Sequence, residues 1–444
     1  MISELTTNLA EKILGASPPP SAQLAAKNGI KDYLAVTLSV TEGHINDAGW
    51  QQLSALWPER DPRSVALLLG YAGHALDFDD FHANFRGHPS TVILPALFAL
   101  TPQQNELDNI RFLNAYCVGV EVAGRLGLAI TNQHYQLGFH STGSLGAIAA
   151  TAALCYLFAA DLETTTCALG LAATQSTALR AQFGSAVKPL HAGLAAQSAV
   201  ISFQLASSGF SSRPHGVIDA FLEAMSQRQA MPELLIKDWG NPWRIESPGL
   251  EFKPYPTCAG THSAVAVTQV LRERWLSSGK PLTALLDNLQ RIDIAFPLGG
   301  DIAANIRVPE NGIEARFCLE YIIAAMLIKG ELHLCDFTEP ELDPHIMALA
   351  QRVNRNPDRS VPPDVLAPEK RFHQVTLFLA GSTQLSHRLD RQQFLKLPVD
   401  LRQKWQNCLT NATYQEIEAW LELCLFNTPQ STSSIRNKLI ASLN

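Results

Sequence analysis

Residues 74–90, "HALDFDDFHANFRGHPS", bring three acids (Asp77, Asp79, Asp80), three histidines (His74, His82, His88) and Arg86 into one short stretch of a chain in which only 17% of residues are charged. Carboxylates beside imidazoles suit proton transfer, because an unperturbed imidazole titrates near pH 6.5 and a neighbouring carboxylate can orient or charge it. The same residue types also suit a metal. An EF-hand is excluded, since counting from Asp77 the fifth, sixth and twelfth residues are Phe81, His82 and His88. A histidine–carboxylate metal site has the residue types but no defining spacing. The stretch follows the apolar run "SVALLLGYAG" and contains Gly87 and Pro89, so its second half is a loop at the mouth of a helix. Taken alone, acids that cap or solvate that helix end are the plainer reading.

Three other stretches carry chemistry-bearing residues. In "HYQLGFHSTGSLGA" (134–147), His140, Ser141 and Thr142 precede a Gly-rich helix start. Free N–H groups there favour an anion, with Gly143 and Gly146 admitting it, while Ser141 or Thr142 as an ordinary N-cap is the plainer alternative. In "FGSAVKPLHAGLAAQSA" (183–199), Lys188 and His191 open an otherwise apolar helix. A lysine there must be partnered or functional, because burying a lone ammonium is costly. In "EFKPYPTCAGTH" (251–262), Lys253, Cys258 and His262 lie in a Pro-rich crossing segment. Cys258 is either a nucleophile or a bystander thiol, and no Cys–His arrangement is readable in one dimension. The chain has no G-x-S-x-G, Walker loop, Rossmann fingerprint or H-E-x-x-H.

The elements that must position these residues follow from length and periodicity. At 444 residues, with 46% apolar residues, the chain is long enough for two domains, one of which can be inserted into the other. From residue 1 to about 247 the pattern is helical and rich in Ala, Leu and Gly, as in "NELDNIRFLNAYCVGVEVAGRLGLAI" and "SLGAIAATAALCYLFAA". Residues 248–389 read as a smaller α/β domain: "NLQRIDIAFP" alternates like a strand, "EARFCLEYIIAAMLI" and "PHIMALAQRVN" are helical, and "FHQVTLFLAGSTQLSHRL" is a hairpin with Gly381 in its turn. Residues 390–444 return to helix and are expected to rejoin the first domain. The fold class is therefore mainly α.

A net charge of −7 with no basic block argues against nucleic acid and anionic membrane surfaces as partners. No run reaches the roughly 18 apolar residues of a membrane helix, and the N-terminus lacks the features of a secretory signal. Eight scattered cysteines without metal-type spacing read as reduced thiols in a cytoplasmic protein.

Taken in order, "HALDFDD…GHPS", "GVEVAGRLG", "HYQLGFHSTGSLGA", "FGSAVKPLHAGLAAQSA", "GFSS", "FKPYPTCAGTH" and "EARFCLEYIIAAMLIKG" resemble the MmgE/PrpD family of 2-methylcitrate dehydratases, cis-aconitate decarboxylases and an iminodisuccinate epimerase. The resemblance implies a cofactor-free homodimer, with a helical domain built from both chain ends, a smaller α/β lid domain, and an active site in the cleft between them; metal independence is expected from the absence of any ligand spacing and from the cations that lysines supply. By motif it implies Asp77, His88, His140 and Tyr321 as catalytic residues and Lys188 and Lys253 as substrate-binding ones. It also places Phe81 and Cys258 in the substrate pocket as departures: many relatives have Thr at the first position, and the decarboxylases have His at the second.

Dehydration, decarboxylation and epimerisation of polycarboxylates all build negative charge beside a carboxylate. Such a site needs fixed cations and a histidine that moves a proton, tasks that suit the two lysines and the two histidines. The reading is a lyase for a small di- or tricarboxylate, of the 2-methylcitrate dehydratase kind. The alternatives are an epimerase, a cis-aconitate decarboxylase, and a non-catalytic polycarboxylate-binding protein. Asp77 is expected to orient or charge His88, and His82 to be a bystander.

Overall fold

A computed structural model describes residues 4–102, 107–338, 342–409 and 412–443. Met1 to Ser3, Asn105 and Glu106 at the start of one quoted helical run, and Thr410 near the end of the chain lie outside the described residues. The chain divides into two compact units, one of residues 1–182, 186–252 and 401–444, the other of 183–185 and 253–400.

The first unit is helical. Its long helices include Pro20–Thr41, Pro62–His74, Ser90–Leu100, Asn109–Ala129, Gly146–Leu157 and Val187–Ser207. Several start where a side-chain carboxylate takes an otherwise unpaired N–H: Asp61 accepts from Arg63, Asp108 from Ile110 and Asp161 from Thr164. Every residue of Ser90–Ala99 is buried, so apolar burial on all sides replaces amphipathicity as the source of stability there.

Small residues set how close the helices come. A Cβ on Gly70 would stand 2.7 Å from the Cα of Gly193, and one on Gly193 would collide with the Leu67 carbonyl. Pro62–His74 and Val187–Ser207 therefore touch backbone to backbone. This contact matters for the site, because the first helix ends in His74 and the second carries Lys188 in its first turn.

The segment 237–244 is held by a buried ion pair rather than by a helix of its own. Glu121 accepts from the N–H groups of Gly240 (3.0 Å) and Arg244 (2.6 Å), and Arg125, paired with Glu121, donates to the carbonyls of Lys237 and Asp238. The C-terminal helices Leu401–Cys408, Tyr414–Leu423 and Ser431–Ala441 belong to this first unit. A reciprocal Thr413–Glu416 cap starts the second of them.

The second unit contains a four-stranded sheet in the order β2-β1-β3-β4, with β1 Leu289–Pro297, β2 Val353–Asp358, β3 Phe372–Leu379 and β4 Gln384–Asp390. The β3–β4 hairpin turns through Gly381 at φ +74°. Inward residues Ile292, Ile294, Phe296, Val375 and Leu377 pack with Val265, Leu271, Ile322 and Ile323 of the helices His262–Ser277 and Leu319–Lys329.

Two readings are corrected. The run "PHIMALAQRVN" stays helical only to Ala350, and Val353 begins an edge strand parallel to β1, which its polar sequence concealed. "EARFCLEY" is not one helix, because Cys318 breaks it and its sulfur caps the next helix at Tyr321 N. All eight cysteines are free thiols, and no helix among the described residues is long and apolar enough to cross a membrane.

Gly193→Ala should lower the thermal midpoint by several degrees, because overpacking a helix contact costs about 1–3 kcal/mol. The exposed Gly209→Ala should cost less than half as much, its own positive φ notwithstanding. Equal midpoints for Gly193→Ala and the parent in a thermal scan would remove the backbone contact from the account.

Candidate active site

The segment between the helices Pro62–His74 and Ser90–Leu100 does not solvate a helix end. Asp77, Asp79, Asp80, His74, His82 and His88 are all buried. Charges taken out of water have to be paired, and the three acids are sorted by their partners. Asp77, in the left-handed region at φ +50°, accepts a hydrogen bond from Lys188 Nζ at 2.9 Å. Asp79 places both oxygens 3.0 Å from His74 Nδ1 and one of them 3.2 Å from His88 Nδ1. Asp80 meets the Ser90 hydroxyl, which also meets that of Tyr116. Burial, reinforced by the Asp32 carboxylate, pushes Asp80 well above the ordinary carboxylate range.

His88 is thus flanked by two carboxylates, but unequally. Its Nε2 lies 3.8 Å from Asp77 Oδ1, beyond hydrogen-bond range, so the nearer partner is Asp79, not the expected Asp77. The His88 main-chain N–H donates to Thr142 Oγ1 at 3.1 Å. Gly87 permits that approach, since a Cβ there would stand 2.9 Å from Thr142 N. Thr142 therefore anchors the loop, and the N-cap of the short helix Ser141–Ser144 is His140. Gly143 and Gly146 face Ala178 and Val92, which makes them packing glycines and not an anion cradle.

The imidazoles form a chain. The His74 ring lies 4.4 Å from that of His88 and 5.8 Å from that of His140, nearly parallel to the latter at 21°. His140 Nδ1 is 3.2 Å from Nδ1 of His191, one turn after Lys188 on the same helix. For that contact to be a hydrogen bond, one ring donates and the other accepts.

Burial drives His74 down to about 3 and His191 down to about 4, the latter helped by Lys188. Burial first, then Lys188 and His74, hold His140 well below the usual imidazole range. Burial also works against ionising Asp79, but the flanking His74 and His88 outweigh it and hold the carboxyl well below its ordinary value. His74 is therefore a neutral ring donating Nδ1–H to an ionised Asp79. His140 is a neutral ring.

Phe81 packs edge-on to His88 with centroids 5.7 Å apart, and its main chain exchanges two hydrogen bonds with Glu251. His82 faces elsewhere. Its Nδ1 accepts from Phe85 N–H and its Nε2 lies 2.9 Å from the Arg244 carbonyl, which makes it a structural histidine.

Lys253, Cys258 and Tyr321 belong to the second unit. Cys258 is fixed by its N–H to the Arg316 carbonyl (3.0 Å) and by its thiol near the Ala303 carbonyl (3.6 Å). Tyr321 sits in the apolar core against Phe337 and takes a main-chain hydrogen bond from Asp343, with burial raising its phenol. The residues that sequence reasoning left out of the site are His74, Asp79 and His191. The available signals were His74 and Asp79 in the same charged stretch and the i, i+3 spacing of Lys188 and His191.

His74, Asp77, Asp79 and His88 each offer a ligand atom, all within 4.8 Å of one another. A metal does not fit this set well. The Lys188 ammonium already lies 2.9 Å from Asp77 Oδ1, so a cation in this set would share that carboxylate with a fixed positive charge.

A mainly α protein that buries imidazoles, carboxylates and a lysine in one cluster has the equipment of a proton-transfer site for an anionic molecule. The N-terminal domain model of the MmgE/PrpD family matches residues 8–232 and the C-terminal domain model matches 255–423, and the chain belongs to the MmgE/PrpD family. Similar proteins include the cis-aconitate decarboxylase of Mus musculus, 26% identical over 354 residues, which are 76% of this chain and 70% of that protein. That of Homo sapiens is 28% identical over 326 residues, 70% and 65% of the two chains. That of Aspergillus terreus (strain NIH 2624 / FGSC A1156) is 26% identical over 314 residues, 66% and 63%.

Two outcomes follow from the buried imidazoles. In the unfolded chain each histidine returns to a pKa near 6.5, whereas His74 is held at about 3 and His82 at about 4. The unfolded state then binds more protons, so stability is full above pH about 6.5 and falls as pH drops toward 4, by up to about 1.4 kcal/mol per pH unit for each such ring. Urea midpoints at pH 7.5, 6 and 5 should fall in that order, and a midpoint unchanged at pH 5 contradicts the neutral-ring assignment. Dialysis against a strong chelator should leave both the midpoint and any turnover as they were. Recovery of lost turnover on adding Mg²⁺, Fe²⁺ or Zn²⁺ would restore the metal reading.

Proposed function

We propose that the protein is a lyase for a small tricarboxylate, working by acid–base chemistry carried by the residues of the first unit. The observation that supports this most is one buried cluster holding a neutral His140, a His88 flanked by carboxylates, and Lys188. A neutral imidazole in a dry site can take a proton from carbon. A ring with a carboxylate beside each nitrogen has the arrangement that an imidazolium uses, and so can deliver a proton. An ammonium has three donors, so Lys188 can hold Asp77 and a substrate carboxylate together. Lys253 enters this reading as a second carboxylate-binding cation by resemblance, and Tyr321, packed in a core, takes no step in it.

The roles fit elimination of water across a carbon–carbon bond. His140 removes the proton next to a carboxylate, negative charge builds on that carboxylate, and His88 protonates the departing hydroxyl. Cys258, where the resemblance implies a histidine in decarboxylases, counts for this hydro-lyase reading over decarboxylation. The names of the similar proteins favour the second reading, decarboxylation of cis-aconitate, in which an acid protonates the carbanion left by CO₂. Both readings retain Lys188 and the two histidines. A homodimer in the cytoplasm remains the expected setting.

Proton NMR of the purified protein with 2-methylcitrate, citrate and cis-aconitate separates the outcomes. Loss of the methine signal with a downfield methyl singlet from 2-methylcitrate, or a new vinylic signal from citrate, supports the hydro-lyase, and release of CO₂ from cis-aconitate supports the decarboxylase. His88→Gln and His140→Gln should each lose at least about a hundredfold in kcat, the low end of what general acid–base groups contribute. Lys188→Met and Lys253→Met should weaken binding by about 1.5–3 kcal/mol, and Lys188→Met should in addition lower stability, because it leaves Asp77 buried without its cation. No turnover of any polycarboxylate, together with tight binding of one, would instead leave a binding protein.

A further inference from the structure

The loop that holds Asp77 and Asp79 is gripped by a residue from the far end of the chain. Lys404, in the helix Leu401–Cys408, is 4% exposed and donates from Nζ to the Phe78 carbonyl at 2.7 Å. The same ammonium lies 2.6 Å from Asp32 Oδ1 and 4.4 Å from the centroid of the Phe78 ring. Phe78 is the residue between the Lys188 partner, Asp77, and the His74 and His88 partner, Asp79.

Asp77 is held at φ +50°, a conformation that costs a non-glycine residue roughly 1–2 kcal/mol and persists only when its surroundings enforce it. Within the loop, Asp77 N–H donates to the His74 carbonyl at 3.2 Å. The Phe78 carbonyl belongs to the Phe78–Asp79 peptide plane, so fixing it sets the direction in which Asp79 leaves the backbone and anchors the residue that follows Asp77. An ion pair with Asp32 would satisfy a buried lysine without any contact to this loop. The additional bond to Phe78 is what ties the C-terminal helix to the site.

We propose that Lys404 is a positioning residue of the active site: by holding the Phe78 carbonyl it keeps Asp77 on Lys188 and Asp79 between His74 and His88. The kinetic consequence rests on the proton-transfer reading given above. The geometric consequence does not.

Lys404→Met alone leaves Asp32 buried without its cation and can cost the fold. The informative variant is therefore Asp32→Asn with Lys404→Met, which removes both charges and the grip on Phe78, with Asp32→Asn alone as the variant that keeps the grip. In ¹⁵N-histidine-labelled full-length protein, the imidazole N–H resonance of His74, assigned by its loss in His74→Gln, reports the bond to Asp79. In the folded double variant this resonance should move or broaden away, while Asp32→Asn retains it. With an active substrate in hand, kcat of the double variant should fall at least tenfold with KM changed less than threefold, and its pH–rate profile should shift. An unchanged His74 resonance in a folded double variant overturns the proposal whatever the turnover. Because this readout needs no substrate, a protein inactive on every polycarboxylate would sink the functional reading and leave the positioning role testable.

Discussion

A carboxylate removed from water needs a cation or donors beside it, and the first unit is organised around that requirement. The ion pair of Asp77 with Lys188 at 2.9 Å joins two segments more than a hundred residues apart, and the pair of Asp32 with Lys404 at 2.6 Å joins segments near opposite ends of the chain. Apolar burial is non-directional and would tolerate many arrangements of these Ala- and Leu-rich helices. Breaking a buried pair typically costs 3–5 kcal/mol, so the charges select the arrangement in which they meet.

The three acids of the loop also had to be kept from repelling one another. Three ionised carboxylates within four residues are not sustainable in a dry site, and the structure gives each a different neighbour: an ammonium for Asp77, imidazoles for Asp79 and hydroxyls for Asp80. The result is an Asp77 paired with an ammonium, an Asp79 held in its ionised form and a third acid, Asp80, shifted toward its neutral form. Delivering the ammonium needs a close helix contact, which Gly70 and Gly193 allow by bringing their backbones together. Packing and electrostatics are one constraint here, since a wider helix spacing would carry Lys188 away from Asp77.

The second unit uses the same logic with a guanidinium. Arg355, on edge strand β2, pairs with Glu320 at 2.7 Å and with Asp301 at 2.9 Å and donates to the carbonyls of Ala304 and Ile306. It fixes the irregular segment 301–306 against the helix Leu319–Lys329. Ala303, whose carbonyl receives the Cys258 thiol, lies within that segment.

Much of this was legible in the sequence, for local reasons. Near-continuous apolar runs identified the helices, alternation marked β1, and Gly381 marked the β3–β4 turn, because periodicity and turn chemistry are properties of neighbours in the chain. Ordered motifs singled out Asp77, His88, His140 and Lys188, which the fold gathers into one cluster. The polar edge strand β2, the preference of His88 for Asp79 over Asp77, the His140–His191 contact and the reach of Lys404 to Phe78 had no one-dimensional signal. Sequence by itself determined which groups could carry protons and charge. Which of them are dry, paired and neutral was decided only by the tertiary structure, because desolvation and Coulomb energy depend on distances between atoms that the order of residues does not contain.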